Sequence, residues 1–204
     1  MSESLKVSSH LRLRDRNRLR TRQELLDAAL DLFEAGGLAA CSVDAVARQA
    51  GTSKTTAYTY FPGGIDEMLR DQYRNIGERI RLRGEQMRNA CVSADDRIVA
   101  LAAALLDVCA APKIGRFYMM LSPALSPLLE PVVGETSGHF RTMITGDLHR
   151  KLATGLSPPA CATVIVGAMR EAAIAVARDP GEREALLTVL RVTVRAMLSV
   201  KAGR

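Results

Sequence analysis

The 204-residue chain has no tryptophan and only four phenylalanines and four tyrosines, so its 48% hydrophobic content is mostly aliphatic. No segment approaches the roughly 18 uninterrupted apolar residues of a membrane-spanning helix. The arginine-rich start also lacks the apolar stretch of a secretion signal. We therefore expect a soluble, cytoplasmic protein with one large or two small domains and an aliphatic, helical core.

Residue patterns of catalytic and metal sites are also missing. The three histidines, His10, His139 and His149, have no metal-ligand spacing, and the four cysteines form no C-x-x-C pair. No glycine-rich phosphate loop or G-x-S-x-G motif occurs. We expect no catalytic residue, no metal and no cofactor, and hence no enzyme. A redox-sensing role for one cysteine stays open as an alternative.

Positive charge is concentrated at the N-terminus. Residues 1–22 contain Lys6 and six arginines against two acidic residues, and so carry +5 of the chain's net +6. The other 182 residues hold 21 basic and 20 acidic groups and are nearly neutral. We interpret residues 1–20 as a basic flexible arm that raises affinity for a polyanion such as DNA. The alternative is a solubilising tail.

Capping patterns predict three helices after this arm. Thr21 and Glu24 have the T-x-x-E spacing of a capping box and predict a first helix over about residues 22–35, which ends at Gly36 and Gly37. Ser42 is a natural N-cap for a second helix of about seven residues. Gly51 ends this helix.

A third helix follows almost at once. Thr52 and Ser53 form a new cap, and Lys54–Tyr60 is expected to be helical before the break at F-P-G-G. Helix, glycine turn, helix is the geometry that presents the second helix to the DNA major groove. Such pairs also occur in helical proteins that do not bind DNA.

The residue string itself is more specific than the helix pattern. G-T-S-K-T-T-A-Y-T-Y-F-P, preceded by A-A-L-x-L-F-x-x-x-G and S-V-D-x-V-A-x-x-A-G, resembles the TetR family of bacterial transcription regulators over about fifty residues. The resemblance implies an all-α protein of about nine helices. It places a helix-turn-helix DNA-binding domain at residues 21–64 and a helical ligand-binding and dimerisation domain at residues 65–204.

The resemblance also implies which side chains contact DNA. Lys54 would bind a phosphate, with the hydroxyls and tyrosines of the third helix along the groove, and lysine, hydroxyl and tyrosine chemistry supports this. Arg48 fits a solvated surface position equally well, and Tyr60 fits the core. The expected DNA-binding residues are Ser42, Arg48, Thr52, Ser53, Lys54, Thr55, Thr56, Tyr58, Thr59 and Tyr60.

Three positions depart from the family pattern. Thr55 stands where glycine is frequent, and Ala57 stands where a bulky aliphatic residue is usual. The segment that starts at Gly63 lacks the lysine that family members place after F-P. The phosphate contact of that lysine is therefore not expected here.

Two strongly apolar helices are expected near the C-terminus, over about residues 158–177 and 180–200. Each starts with a capping residue before proline, at Ser157-Pro158 and Asp179-Pro180. The resemblance implies that they form a homodimer interface, with Leu190 central on the last apolar face. Alternatively, they complete the core of the monomer.

Aromatic and methionine side chains in the middle helices are typical of an apolar pocket, although such residues also fill ordinary cores. The expected ligand-binding residues are Phe117, Met120, Phe140, Met143 and Met169. Taken together, the resemblance implies a homodimeric repressor that binds a palindromic operator and is released by a small-molecule effector. A ligand-independent architectural DNA-binding protein and a small helical enzyme are the alternatives.

Overall fold

Helices account for nearly all of the part of the chain that the structure describes, and no strand occurs in that part. The computed structural model describes residues 13–119, 126–149, 152 and 156–199. The expected all-α fold is confirmed. The helices are α1 (Leu13–Ala40), α2 (Val43–Gln49), α3 (Lys54–Tyr60), α4 (Gly64–Asn89), α5 (Ala94–Cys109), α6 (Pro112–Met119), α7 (Ser126–Leu129), α8 (Glu135–Leu148), α9 (Pro158–Arg178) and α10 (Arg183–Ser199), with a 3₁₀ turn at Pro180–Glu182.

The chain forms two compact units, Met1–Gln72 and Tyr73–Arg204. The first unit thus extends beyond residue 64, where the domain boundary was expected. Its extension is explained by the start of α4, where Met68 and Leu69 are fully buried. In addition, Asp71 forms an ion pair with Arg22 of α1.

Helix α1 begins at Leu13, about two turns before its expected start near residue 22. Residues 13–20 are therefore helical, which corrects the expectation of a flexible arm for that part; residues 1–12 lie outside the described residues. Leucine and arginine are strong helix formers, and an existing helix extends at little cost once nucleated. The T-x-x-E pattern at Thr21 consequently lies inside the helix and caps nothing.

The other sequence signals of the first unit are confirmed. The helical path of α1 breaks at Gly36 and Gly37, and Gly37 has a φ of 65°, a conformation that favours glycine. The Ser42 and Ser53 hydroxyls cap α2 and α3 by accepting backbone N–H groups. Because these caps fix both helix starts, the orientation of α3 within its unit is set locally.

Helices α5 and α9 are the centre of the second unit. Helix α5 packs against α6, α8, α9 and α10, and eleven of its residues are buried. The Ser93 hydroxyl accepts the Asp96 N–H and caps α5. Helix α9 also packs against α6, α8 and α10. Aliphatic side chains therefore supply most of this core.

Pro112 lies at the junction of two helices. Helix α5 ends at Cys109, and Pro112 is the first residue of α6. Proline is favoured in the first turn of a helix because its missing N–H has no partner there anyway. The same residue that stops α5 therefore starts the next helix.

Ion pairs hold α10 along α5. Arg183 bonds to Asp107, Arg191 to Asp96 and Arg195 to Asp95, and the Arg195 Nε to Asp95 Oδ2 distance is 2.6 Å. The residue numbers of the acidic partners on α5 rise as those of their basic partners on α10 fall, so the two helices run antiparallel.

Leu190 lies inside the second unit, which corrects its expected place on an outer face. It is 7% exposed, and Val194, one turn later, is 1% exposed. Val189 and Val192 lie on the outside instead, with exposures of 62% and 63%. The residues that face inward on α10 complete the monomer core, whereas an apolar outer stripe remains uncovered.

Helix α9 has the length and apolar composition to cross a membrane, with a mean hydropathy of 1.6 over its most apolar window. Of that window, 44% is buried in the second unit. Core helices of soluble proteins commonly meet the same criterion. Packing against four other helices accounts for its apolar character.

Candidate nucleic-acid interface

Helix α3 separates core residues from exposed polar residues within seven positions. Ala57 is fully buried, so α3 can lie close against the rest of its unit. Lys54, Thr55 and Thr59 are exposed, and Tyr58 is 43% exposed. The exposed face therefore carries one cation, two hydroxyls and a phenol, which are groups that contact phosphates and base edges.

Some of the hydroxyls on this face already have partners within the protein. Thr56 is half-buried, and its Oγ1 lies 2.8 Å from the Ser53 Oγ. The Thr59 hydroxyl donates to the Thr55 carbonyl at 3.0 Å. Thr52 is half-buried, and its N–H donates to the Ala47 carbonyl in the turn. These contacts assign Ser53 and Thr52 a structural role at the start of α3.

Of the other expected DNA-binding residues, Ser42 and Arg48 lie on α2 and Tyr60 ends α3. Ser42 is exposed, and its Oγ accepts the Ala45 N–H at 3.1 Å. Arg48 forms an ion pair with Asp44 one turn earlier, and both side chains are largely exposed. This pair matches a solvated surface arginine. Tyr60 is half-buried, between the two expected environments.

The arginines of residues 1–22 were counted together as one basic segment, but Arg22 differs in role from Arg14 and Arg18. Arg22 forms an ion pair with Asp71 and lies over the Phe61 ring at 4.9 Å from the ring centre, so it supports the first unit. Arg14 and Arg18 are exposed on the first turns of α1. The sequence offered no sign of this difference, because all the arginines recur at every second position.

The second unit contains two neighbouring cavities. An outer cavity of about 380 Å³ lies between α4 and α8, and an inner one of about 40 Å³ is lined by apolar residues of α5, α6, α8 and α9. Of the expected ligand-binding residues, Phe140 and Met169 line the inner cavity. Phe117, which is fully buried, and Met143 line neither cavity, and Met120 lies outside the described residues.

Two tyrosines that are not among the expected ligand-binding residues form the wall between these cavities. The rings of Tyr73 and Tyr118 stack with centroids 4.4 Å apart, and both line both cavities. The Tyr118 hydroxyl donates to Thr136 Oγ1 at 2.8 Å. Burial raises the pKa of both tyrosines, so each keeps its proton at neutral pH. Arg170 is the charged residue at the inner cavity.

Burial also affects the cysteines. It raises the pKa of Cys41 to about 11 and the pKa of Cys109 to about 12. Because the thiolate is the reactive form, these two thiols are poor nucleophiles at neutral pH. Cys161 is buried as well, and Cys91 is half-buried. The alternative of a redox sensor at Cys41 or Cys109 is therefore disfavoured.

Residues 25–71 match the family model described as bacterial regulatory proteins, tetR family. This range contains all of α2 and α3 and the expected DNA-binding residues. A segment of 46 residues is 39% identical to the HTH-type transcriptional regulator SrpR of Pseudomonas putida. That segment covers 22% of each of the two chains.

Solved structures resemble the chain over most of its length. A TetR-like transcriptional regulator from Rhodococcus sp. RHA1 matches with a TM-score of 0.71 and 22% identity, over 89% of this chain and 97% of that one. The regulator FadR of Bacillus subtilis, solved in complex with stearoyl-CoA, matches with a TM-score of 0.68 and 16% identity, over 87% of this chain and 97% of that one. The all-α fold is therefore shared.

Proposed function

We propose that the chain is a cytoplasmic transcription regulator of the tetR family, whose model matches residues 25–71, and that it binds an operator in double-stranded DNA through α3. The observation that carries the proposal is the exposed polar face of α3. Ser53 caps the start of this helix, and the buried Ala57 packs it against the rest of its unit. The residue types on the exposed face fit phosphate and base-edge contacts better than catalysis.

The roles of the α3 residues follow from their exposure. Lys54 would neutralise a phosphate, which contributes sequence-independent affinity. Thr55 and Tyr58 would contact base edges or thymine methyl groups and provide sequence preference. Ser42 would offer a further phosphate contact at the start of α2, where unpaired backbone N–H groups favour anions. Arg48 would contribute less, because Asp44 already neutralises it.

Selection of duplexes from a random-sequence library tests this function directly. We expect the protein to enrich an inverted repeat and to bind it in gel-shift titrations more tightly than a scrambled duplex of the same composition. Enrichment without any repeat would favour the architectural alternative. No enrichment and no salt-dependent binding would contradict DNA binding altogether.

The proposed homodimer would use the outer faces of α9 and α10. Val164, Val189 and Val192 are each at least 59% exposed, and the residues around them on these faces are mostly small and uncharged. A second copy of the same two helices would cover this surface as a four-helix arrangement. A twofold contact is also what a palindrome requires, because two recognition helices must be held about 34–36 Å apart or at a multiple of it.

We further propose repression that a small-molecule effector relieves, with the effector bound at the cavities of the second unit. The inner cavity has room for only a few water molecules, so effector binding must displace Tyr73 or Tyr118, the wall between the cavities. Apolar lining with Arg170 at its edge would suit an amphipathic anion. FadR of Bacillus subtilis, with its bound stearoyl-CoA, is one relative in fold with a ligand of this class.

Linkage makes the effector proposal testable without knowledge of the regulated gene. If an effector weakens operator binding by some factor, the operator must weaken effector binding by the same factor. Long-chain acyl-CoA is the first compound to test, in gel shifts with and without it. Release of the selected duplex by acyl-CoA, but not by free CoA, would support the amphipathic class. Equal release by both compounds would contradict it.

A further inference from the structure

An open groove of about 910 Å³ lies between the first turns of α1 and the C-terminal end of α3. Arg14, Arg18 and Thr21 of α1 form one wall, and Thr59 and Tyr60 of α3 form the other. The groove lies entirely within the first unit. It therefore borders the same helix that carries the proposed DNA contacts.

The two groove arginines share one side of α1. Residues 14 and 18 are four apart, so both project from one helical face, about 6 Å apart along the axis. Both are exposed, and neither forms an ion pair among residues 13–119, 126–149 and 156–199. Asp15 is the one carboxylate of the lining, so the groove keeps a net positive charge.

The remaining arginines of these turns are placed differently. Arg16 and Arg20 are about 200° from Arg14 and Arg18, respectively, around the helix and project away from the groove. Arg20 also forms an ion pair with Glu24 at 3.4 Å. Equal charge therefore lies on both sides of the same short helical segment, but only one side faces α3.

We propose that this groove holds the sugar–phosphate backbone of the DNA that α3 contacts, with Arg14 and Arg18 on phosphates from one side and the Thr59 and Tyr60 side chains on the other. The inference rests on the proposed DNA binding by α3. An open, elongated groove with free cations suits one strand of a polyanion. Because α1 is helical from Leu13 onward, the two guanidinium groups are already positioned before binding, which lowers the entropic cost of each contact.

This arrangement differs from a charged tail in what it contributes. Phosphate contacts from a fixed helix set the orientation of the unit on the duplex and add affinity for any sequence. A charged tail would attract DNA regardless of the helix face on which each arginine lies. Removing charge from one face of α1 or the other therefore distinguishes a fixed helix from a tail.

The test compares Arg14→Gln/Arg18→Gln with the charge-matched control Arg16→Gln/Arg20→Gln. The probe is the duplex that the parent protein selects from a random-sequence library, and the readout is the slope of log Kobs against log salt concentration. Losing two phosphate contacts per protomer, and so four in the proposed dimer, should flatten the slope by about 3.6, equivalent to about a 150-fold smaller loss of affinity between 50 and 200 mM salt. The control should flatten it by less than half as much.

Asn17→Pro offers a second variant that keeps every charge. Proline at this position removes the backbone bond to the Leu13 carbonyl and should move the helix start to residue 17, which detaches Arg14. We expect the slope to flatten by about 1.8, or about 0.9 for each protomer, whereas Asn17→Ala should leave it unchanged. Helix content by circular dichroism and the thermal midpoint verify that each variant is folded.

Equal slopes for the two double variants would overturn the inference, because charge would then act without regard to its side of α1. Unchanged slopes in both would overturn it as well. If the parent protein selects no duplex and shows no salt-dependent DNA binding, both the proposed function and this inference are overturned. If the parent binds DNA normally but the two double variants do not differ, only the inference about the groove is overturned.

Discussion

At the residue scale, α3 contains one buried position, Ala57, and exposed positions that can be substituted to test DNA binding. The small side chain of Ala57 is fully buried, whereas Lys54 is exposed and Tyr58 is 43% exposed on the same helix. Substitutions at the two exposed positions should therefore change DNA binding and leave stability nearly unchanged. Surface substitutions of this kind usually alter the free energy of unfolding by less than about 0.5 kcal/mol.

We expect Lys54→Ala and Tyr58→Ala to weaken DNA binding in different ways. Loss of Lys54 removes one phosphate contact from each protomer, so all sequences should bind more weakly and the salt slope should flatten by about 0.9 for each protomer bound. Loss of Tyr58 should cost about 1–3 kcal/mol for the selected duplex and little for a scrambled one. Gel-shift titrations of both duplexes over a range of salt measure this.

Arg178→Ala is the matched control for charge, since Arg178 is exposed at the end of α9 in the other unit. It should leave affinity and salt slope as in the parent. If Tyr58→Ala bound the selected duplex as tightly as the parent, Tyr58 would have no part in sequence preference.

The four cysteines should differ sharply in reactivity. Burial raises the pKa of Cys41 to about 11 and that of Cys109 to about 12, so few thiolates form at about pH 8. Cys161 is also buried, whereas Cys91 is half-buried. We expect one thiol to react quickly with a disulfide reagent in the native protein and the others only after unfolding in urea.

Cys91→Ser identifies the fast thiol. The substitution should remove the fast phase and leave the slow reaction on unfolding. Persistence of a fast phase in this variant would mean that a thiol in the core opens readily to solvent. That result would restore the redox-sensor alternative.

At the scale of elements, local capping was the part of the fold that sequence reasoning predicted best. Ser42 and Ser53 each cap the helix expected of them, because a cap depends only on residues within one turn. Thr21 has the same kind of pattern and caps nothing. Its surroundings explain the difference, since residues 13–20 are helix formers that extend α1 past it.

Which face of a helix is buried was harder to predict, because this depends on distant partners. An apolar stripe predicts that Leu190 is buried, but it does not identify the helix that buries it. In the structure, α5 of the same chain packs against that side of α10. The candidate cavity shows the same limit. Phe140 and Met169 were identified by residue type, whereas Tyr73 and Tyr118 meet only through the packing of α4 and α6.

The ion pairs between α5 and α10 should make stability depend on acid pH. The Ser93 hydrogen bond and then Arg195 lower the pKa of Asp95 from 3.8 to about 2. A carboxyl with a lowered pKa stabilises the fold above its unfolded pKa, and this contribution is lost as pH falls through the folded pKa. The contribution of Asp95 should therefore be complete above about pH 4 and disappear near pH 2.

Arg195→Gln removes one of the two causes. We expect it to lower the free energy of unfolding slightly at about pH 6, because the pair is largely exposed to solvent, and by progressively less below about pH 4. Urea titrations followed by circular dichroism at several pH values measure this. Arg178→Gln, which removes an equal charge from α9, should show no such pH dependence. A difference for Arg195→Gln that stayed constant down to pH 2 would exclude Asp95 as its partner.

At the scale of the whole molecule, the uncovered stripe on α10 should control assembly. Val189→Asp/Val192→Asp places two charges at 62% and 63% exposed positions, so the monomer should fold normally. In the proposed dimer the same charges would be buried without partners, which typically destabilises an interface strongly. We expect monomers by sedimentation at micromolar concentration and loss of tight binding to an inverted repeat.

Leu82→Asp/Gln86→Asp is the control for this variant. Both side chains are exposed, and they lie one turn apart on α4 rather than on α9 or α10. This pair should sediment like the parent. Dimers that persist in Val189→Asp/Val192→Asp would place the interface on another surface.

The placement of the four tyrosines has a spectroscopic consequence. Tyr58 and Tyr60 lie on α3, and Tyr73 and Tyr118 form the stacked wall between the cavities, in a chain without tryptophan. Intrinsic ultraviolet emission therefore comes from phenol rings alone, with no indole to absorb their energy. Each proposed ligand contacts its own pair of chromophores, so replacing Tyr58 and Tyr60 with phenylalanine would leave an unlabelled protein whose fluorescence reports on the cavity alone.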